Sequence, residues 1–178
     1  MPHPYRVMTV CTGNICRSPM AEVVLRDRFE QAGLGDVVVV DSTGISDEEH
    51  DRPLDRRAQR VLAAHGYTVP QHRARQVTPV DLTTRDLVLA MTSTHAQALR
   101  NLARGDVGLE GRVRMYRSFD ASAPTAGPEH LLDVDDPWYG DQEGFEVTLE
   151  EVEAAADAIV DHVRTELDLG ARPAPPDR

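Results

Sequence analysis

The sequence predicts an α/β protein: a three-layer, doubly wound fold whose four-stranded parallel sheet, in the strand order 2-1-3-4, carries helices on both faces. Three observations predict it. Short apolar runs alternate along the chain with segments of helical periodicity, the pattern of repeated βαβ units. One run, Val37-Val38-Val39-Val40, is apolar without alternation, as in a strand covered on both sides. The segment richest in chemistry, residues 11–18, falls between the first strand and the first helix. Open parallel sheets gather ligands at such carboxyl ends, near the reversal of strand order.

The elements follow in order. Residues 7–10 form the first strand. The first helix covers 19–32, with Ala21, Val24, Leu25, Phe29 and Ala32 near one face. Ser18 suits its N-cap, Pro19 its first position, and Gly33 and Gly35 its end. Residues 37–40 form the second strand, and 43–53 are polar and irregular. A helix over 54–65 turns Ala58, Val61 and Leu62 inward and closes at Gly66. Residues 86–91 form the third strand, 93–104 a helix and 113–116 a short fourth strand. A loop over 117–144 holds Pro124, Gly127, Pro128, Pro137 and Gly140, and so long a loop is usually functional. From Phe145 onward, Leu149, Val152, Ala156, Ile159 and Val163 recur at helical spacing. Neither a repeat nor a linker divides the chain. The expectation is one domain over residues 1–169 and a proline-rich, disordered tail over 170–178.

Composition narrows the function. The chain has 178 residues, a net charge of −11 and no lysine among its 19 basic residues. A surface so acidic argues against nucleic acid as a partner. No apolar run is long enough to span a membrane, and the N-terminus lacks the hydrophobic core of a signal peptide. The expected location is the cytoplasm and the expected state a monomer. The two cysteines lie five residues apart, which does not make a secreted disulfide framework. The histidines show no ligand spacing, so neither a metal nor another cofactor is expected.

Residues 11–18 read Cys-Thr-Gly-Asn-Ile-Cys-Arg-Ser. A thiol attacks only as its thiolate and needs positive surroundings. A tight loop with inward N–H groups, followed by a helix N-terminus, makes an anion nest. The Arg17 fork matches two phosphate oxygens. Together these groups can activate Cys11, hold a phosphate and stabilise an in-line transition state. Gly13 and Asn14 tolerate the left-handed backbone of a tight loop. A cysteine followed six positions later by arginine is a weak signal in an arginine-rich chain. The strand before it and the helix after it make it strong.

The run from Val10 to Glu22 resembles the signature of the low-molecular-weight protein tyrosine phosphatases, and the likeness extends from about residue 5 to about 168. The resemblance implies a flavodoxin- or Rossmann-like sheet and hydrolysis of protein phosphotyrosine through a phosphocysteine on Cys11. Arg17 would grip the phosphate, with Thr12, Gly13, Asn14, Ile15, Cys16 and Ser18 around it, and inorganic phosphate or other oxyanions would bind the same loop. Asp136, which precedes Pro137, Trp138 and Tyr139, would be the general acid and base. Asp133 and Asp135 lack that context. Trp138 and Tyr139 would wall the substrate, and Tyr139 is the tyrosine available there for phosphorylation. Asn14, Ser18, Ser42 and His72 match the family's loop-supporting network, in which the Ser18 hydroxyl would help stabilise the thiolate. Cys16 can be a small buried residue or a reversible disulfide partner for Cys11.

Two positions depart from the pattern. Glu48 stands where the family usually has an aromatic wall, so a basic residue beside the phosphosite would be favoured. Thr92 stands where Asp is common, and would hold the arginine less well if that Asp serves this purpose. Three other readings stay open: a protein arginine phosphatase of the same fold, against which Ile15 stands where that branch tends to carry Thr; a thioredoxin-coupled arsenate reductase, which needs further cysteines; and a non-catalytic anion or phosphoprotein-binding module.

Overall fold

The computed structural model describes residues 3–170, with side chains through 168. Four strands form one all-parallel sheet: β1 (Tyr5–Cys11), β2 (Val38–Gly44), β3 (Leu87–Ala90) and β4 (Val113–Met115). Their order is β2-β1-β3-β4, as the sequence predicts. Val7 pairs with both Val40 and Leu87, and Ala90 with Met115.

Among the described residues six helices flank the sheet: α1 (Arg17–Gln31), α2 (Arg56–Ala64), α3 (Pro79–Thr84), α4 (Ser93–Leu102), α5 (Val107–Glu110) and α6 (Gln142–Gly170). Period-two alternation divides the sheet residues between two apolar clusters. Val7, Val40, Leu87 and Leu89 pack with α1, α2 and α6. Met8, Val10, Val88 and Ala90 pack with Leu82 of α3, Ala96 and Leu99 of α4, and Leu109 of α5. The six residues that mark the final helix in the sequence, from Phe145 to Val163, are all fully buried.

Several boundaries differ from the reading of the sequence. α1 begins at Arg17, with Cys16 as its N-cap residue and no side-chain cap. Ser18 is therefore inside the first turn and Pro19 is its third residue. Proline is tolerated there because first-turn N–H groups lack helical partners anyway. The sequence reading missed α3 and α5, which are too short to show periodicity. The loop over 117–144 contains three 3-10 turns, Tyr116–Phe119, Glu129–Leu132 and Pro137–Tyr139, and α6 begins before Phe145. Gly170 is the last described residue of α6, and the remainder of the expected tail, residues 171–178, lies outside the described residues.

β2 is not covered on both sides. It is the edge strand, and Val37 and Val39 are 44% and 41% exposed because the α3–α4 layer stops short of it. Its open edge is occupied in two places. The Arg26 guanidinium donates twice to the Val40 carbonyl, at 2.9 and 3.1 Å. Further on, Gly44 N–H donates to Arg75 O and Val77 N–H to Gly44 O.

Candidate active site

The loop after β1 is built around buried groups. Cys11, Asn14, Cys16, Arg17 and Ser18 are all at least nine-tenths buried. Asn14 takes φ 58°, the left-handed backbone expected of it. Gly13 does not; what it provides is room, since a Cβ there would lie 3.0 Å from Glu49 Cγ. Gly44, at the end of β2, is needed for close approach: a Cβ would stand 2.5 Å from the Thr12 carbonyl oxygen.

Asn14 is held from four sides. Its Nδ2 donates to Ser18 Oγ at 3.0 Å and Ser42 Oγ at 2.9 Å. Its Oδ1 accepts from Arg75 N–H at 3.1 Å. Its carbonyl accepts from His72 Nε2 at 2.6 Å, which fixes the proton of His72 on that nitrogen. Ser42 passes the network on to Glu22 at 2.5 Å. The N–H groups of Gly13, Asn14, Ile15 and Cys16 donate to no protein acceptor among the described residues. Buried N–H groups are rarely left unpaired, so four in succession leave a nest ready for an anion.

Ser18 Oγ lies 3.0 Å from Cys11 Sγ and 3.1 Å from the Thr43 carbonyl. A hydroxyl has one proton. It can point to Thr43 while the thiol donates to it, and turn to sulfur when the thiolate forms. The resemblance implies this support of the thiolate by Ser18, whereas the N-cap place also expected of it falls to Cys16. Burial, followed by the Asp55 carboxylate, pushes the Cys16 thiol well above its ordinary range. At neutral pH Cys16 is a protonated, weak nucleophile.

Arg17 spans the site. Nη1 donates to Val134 O at 3.2 Å, and Nη2 to Asp136 Oδ2 at 2.8 Å and Thr12 Oγ1 at 3.4 Å. Its Nε is buried without a hydrogen-bond partner. Thr92 does not reach it; the Thr92 hydroxyl caps α4 by accepting from His95 N–H. His95 is the neighbour the sequence reading missed. Its Nε2 is 2.9 Å from Thr12 Oγ1. Burial, then the Arg17 charge, pushes its pKa down to about 3, so the ring is neutral.

Of Asp133, Asp135 and Asp136, only Asp136 lines the pocket. Asp133 accepts from Ser93 N–H at 2.6 Å, and Asp135 N–H bonds Glu151. In this acidic neighbourhood burial raises the Glu151 carboxyl above its ordinary value. Asp136 caps its own 3-10 turn by accepting from Trp138 N–H at 3.0 Å. The cavity encloses about 150 Å³, room for an oxyanion and not for a folded segment. Cys11, Thr12, Gly13, Ile15, Cys16 and Arg17 line it from the nucleophile loop and the start of α1, Trp138 and Tyr139 from the Asp136 turn, and Glu48 and Glu49 from the loop after β2. Tyr139 is 91% exposed. Ser42 and His72 stand behind the loop and touch it only through Asn14. Among the described residues no cluster of His, Cys, Asp and Glu could hold a metal ion, and no helix is long and apolar enough to cross a membrane.

The sequence reading also overlooked Arg57, Arg75 and the Val134 carbonyl. Arg75 was findable in principle, since it follows His72 closely. Arg57 and Val134 are brought in by tertiary packing alone.

A buried thiol at the carboxyl end of a central parallel strand, a guanidinium fork from the same loop and a carboxylate lining the same cavity are the equipment of a cysteine-dependent phosphatase. The family model "Low molecular weight phosphotyrosine protein phosphatase" matches residues 6–169. The chain is 46% identical over 164 residues to a low molecular weight protein-tyrosine-phosphatase of Streptomyces coelicolor, covering 92% of this chain and 96% of that one. It is 44% identical over 164 residues to low molecular weight protein-tyrosine phosphatase A of Mycobacterium tuberculosis, covering 92% and 94%. A solved low molecular weight phosphotyrosine phosphatase from Vibrio cholerae superposes with a TM-score of 0.78 at 30% identity, covering 91% and 98%. The chain belongs to the low molecular weight protein tyrosine phosphatase family.

Proposed function

We propose that this protein hydrolyses phosphotyrosine in proteins, with Cys11 as nucleophile, Arg17 as phosphate ligand and Asp136 as general acid and base. The observation that carries the reading is the convergence of the three on one cavity. Asp136 Oδ2 sits on Arg17 Nη2, the N–H that a phosphate oxygen would take.

The phosphate enters with its oxygens toward the free N–H groups of Gly13 to Cys16 and the Arg17 fork. Cys11 Sγ attacks phosphorus in line, forming the S–P bond as the bond to the tyrosine oxygen breaks. Asp136, displaced from Arg17 and carrying the proton given up as the Cys11 thiol became the thiolate, passes that proton to the departing oxygen. The carboxylate so formed takes a proton from water, which attacks the phosphocysteine and releases inorganic phosphate and the thiolate. The loop's donors stabilise the charge of both transition states. The Ser18 hydroxyl supports the thiolate whenever it is free.

Trp138 and Tyr139 give the substrate ring its apolar wall, and Ile15 adds apolar surface beneath it. Ile15 also favours an aryl substrate over a guanidinium one, which wants a polar contact there. Glu48 has no side-chain partner among the described residues, and as the opposite wall it favours peptides with arginine or lysine beside the phosphotyrosine. The relay of an arsenate reductase needs cysteines beyond Cys11 and Cys16, which this chain lacks. Residues 1–169 act as one catalytic domain, in a cytoplasmic monomer.

The test sets phosphotyrosine and phosphoarginine peptides side by side across pH 5–8, with Cys11→Ser as control. Phosphotyrosine turnover that vanishes in the variant supports the reading. Preference for phosphoarginine moves the chain to the sister activity. No Cys11-dependent turnover of either leaves an anion-binding module.

A further inference from the structure

Arg57, the second residue of α2, joins the nucleophile loop to the turn that carries Asp136. Four of its five N–H donors are engaged. Nε and Nη2 fork onto the two oxygens of Asp55, at 3.1 and 3.0 Å. Nη1 donates to Gly140 O at 2.9 Å and to Trp138 O at 3.3 Å. The guanidinium carbon lies 4.6 Å from the centre of the Phe145 ring and 5.7 Å from that of Trp138. The Arg57 carbonyl accepts from Gln142 Nε2 at 3.2 Å, in the first turn of α6.

Each contact ends on a part of the site. Asp55 N–H donates to Ile15 O at 2.8 Å, inside the nucleophile loop. Burial opposes the charge on Asp55, yet the Arg57 bonds hold its carboxyl below the usual range, so the pair is ionised. Trp138 and Gly140 bracket the rest of the turn that Asp136 opens. The path from nucleophile loop to acid turn runs Ile15, Asp55, Arg57, Trp138 and Gly140, and every link is a hydrogen bond. A planar fork with fixed donors suits this task, and lysine, a point charge, does not.

We infer that Arg57 is a positioning residue for leaving-group protonation: it holds the Asp136 turn at its working distance from Cys11 while touching neither phosphate nor leaving group. This deepens the proposed phosphatase reading and rests on it. The step concerned breaks the bond between phosphorus and the aryl oxygen, forms the S–P bond and moves one proton from Asp136 to that oxygen. Misplacing the acid slows it in proportion to how much the leaving oxygen needs the proton.

The experiment measures kcat/KM for a series of aryl phosphates, whose phenols run from carboxylic-acid acidity to about 10, the tyrosine value. Asp136→Ala supplies the reference slope, and inhibition by inorganic phosphate reports the loop alone. Arg57→Ala is expected to lower kcat/KM about tenfold or more for the least acidic phenol and less than about threefold for the most acidic. Phosphate inhibition does not weaken, and Arg57→Lys lies between variant and parent. A uniform fall across the series, an unchanged slope, or weaker phosphate binding in step with the lost activity overturns the inference. Should Arg57→Ala fail to fold, the slopes of Arg57→Gln and Arg57→Lys are measured in its place, with Arg57→Lys the nearer to the parent. If the parent shows no Cys11-dependent hydrolysis, the phosphatase reading itself fails; if it hydrolyses normally and only the slope is unmoved, Arg57's role alone is refuted.

Discussion

Replacing Asp136 with alanine should move two observables in opposite directions. In the free protein Asp136 Oδ2 accepts from Arg17 Nη2 at 2.8 Å. A phosphate entering the loop must take over that N–H beside a carboxylate of like charge. The Asp136 side chain is 40% exposed and that of Arg17 only 6%. The pair therefore lies between a surface ion pair, worth about 0.2–1 kcal/mol, and a charge-assisted bond, worth about 1.5–3 kcal/mol. An intermediate value of about 1 kcal/mol corresponds to roughly fivefold tighter oxyanion binding in Asp136→Ala, since about 1.4 kcal/mol is tenfold. Loss of the general acid lowers kcat/KM for a phosphotyrosine peptide by about 10²–10⁴. The assay is inhibition by inorganic phosphate and vanadate, read alongside peptide turnover. Weaker oxyanion binding in the variant, or a loss of turnover below about tenfold, would refute the reasoning.

Ser18→Ala removes the hydroxyl 3.0 Å from the nucleophile, and kcat/KM should fall about tenfold or more. Slower alkylation of Cys11 at fixed pH checks this, and an unchanged rate counts against the thiolate role. Glu48→Gln should reduce the preference for arginine-flanked phosphotyrosine peptides by about two- to fivefold, and Glu48→Arg should reverse it. Added salt should erode the preference of the parent. His95 is held at about 3 in the folded protein, against 6.5 for an ordinary histidine. As pH falls, the unfolded chain takes up that proton first, so stability declines from about 6.5 down toward 3. His95→Gln should flatten that decline, read from denaturant midpoints at pH 7 and about 4.5; parallel declines would show that His95 is not its source.

The fold was legible because its signals are local. Apolar runs mark all four strands, and the 3.6-residue recurrence from Phe145 to Val163 marks the longest helix. The nucleophile and the phosphate fork were legible for the same reason, since Cys11 and Arg17 share one loop. Asp136 needed the resemblance to set it apart from Asp133 and Asp135; nothing in the three aspartates themselves says which faces the cavity. Ser18 looked like a cap because its type and place fit one; its service to the thiolate came from the resemblance, and the packed loop puts the hydroxyl 3.0 Å from Cys11 Sγ while Cys16 takes the cap position. Val39 looked covered because an unbroken valine run reads as a strand packed on both faces, although strand 2 stands at one end of the predicted order and one helical layer stops short of it. Arg57 and His95 act through partners about 80 residues away, at Trp138, Gly140 and Thr12, and no local pattern carries such pairings.

An unpaired strand edge invites a neighbouring molecule to add its own strand. Along β2 that invitation is withdrawn by Arg26 at Val40 and by residues 75–77 at Gly44. The second guard is also a support of the nucleophile loop, because the residue whose carbonyl receives Gly44 N–H gives its own N–H to Asn14. Solubility and catalytic competence thus share one short stretch of backbone. Damage there, whether by substitution or proteolytic nicking, would slacken the hold on Asn14 and bare the strand edge in the same stroke.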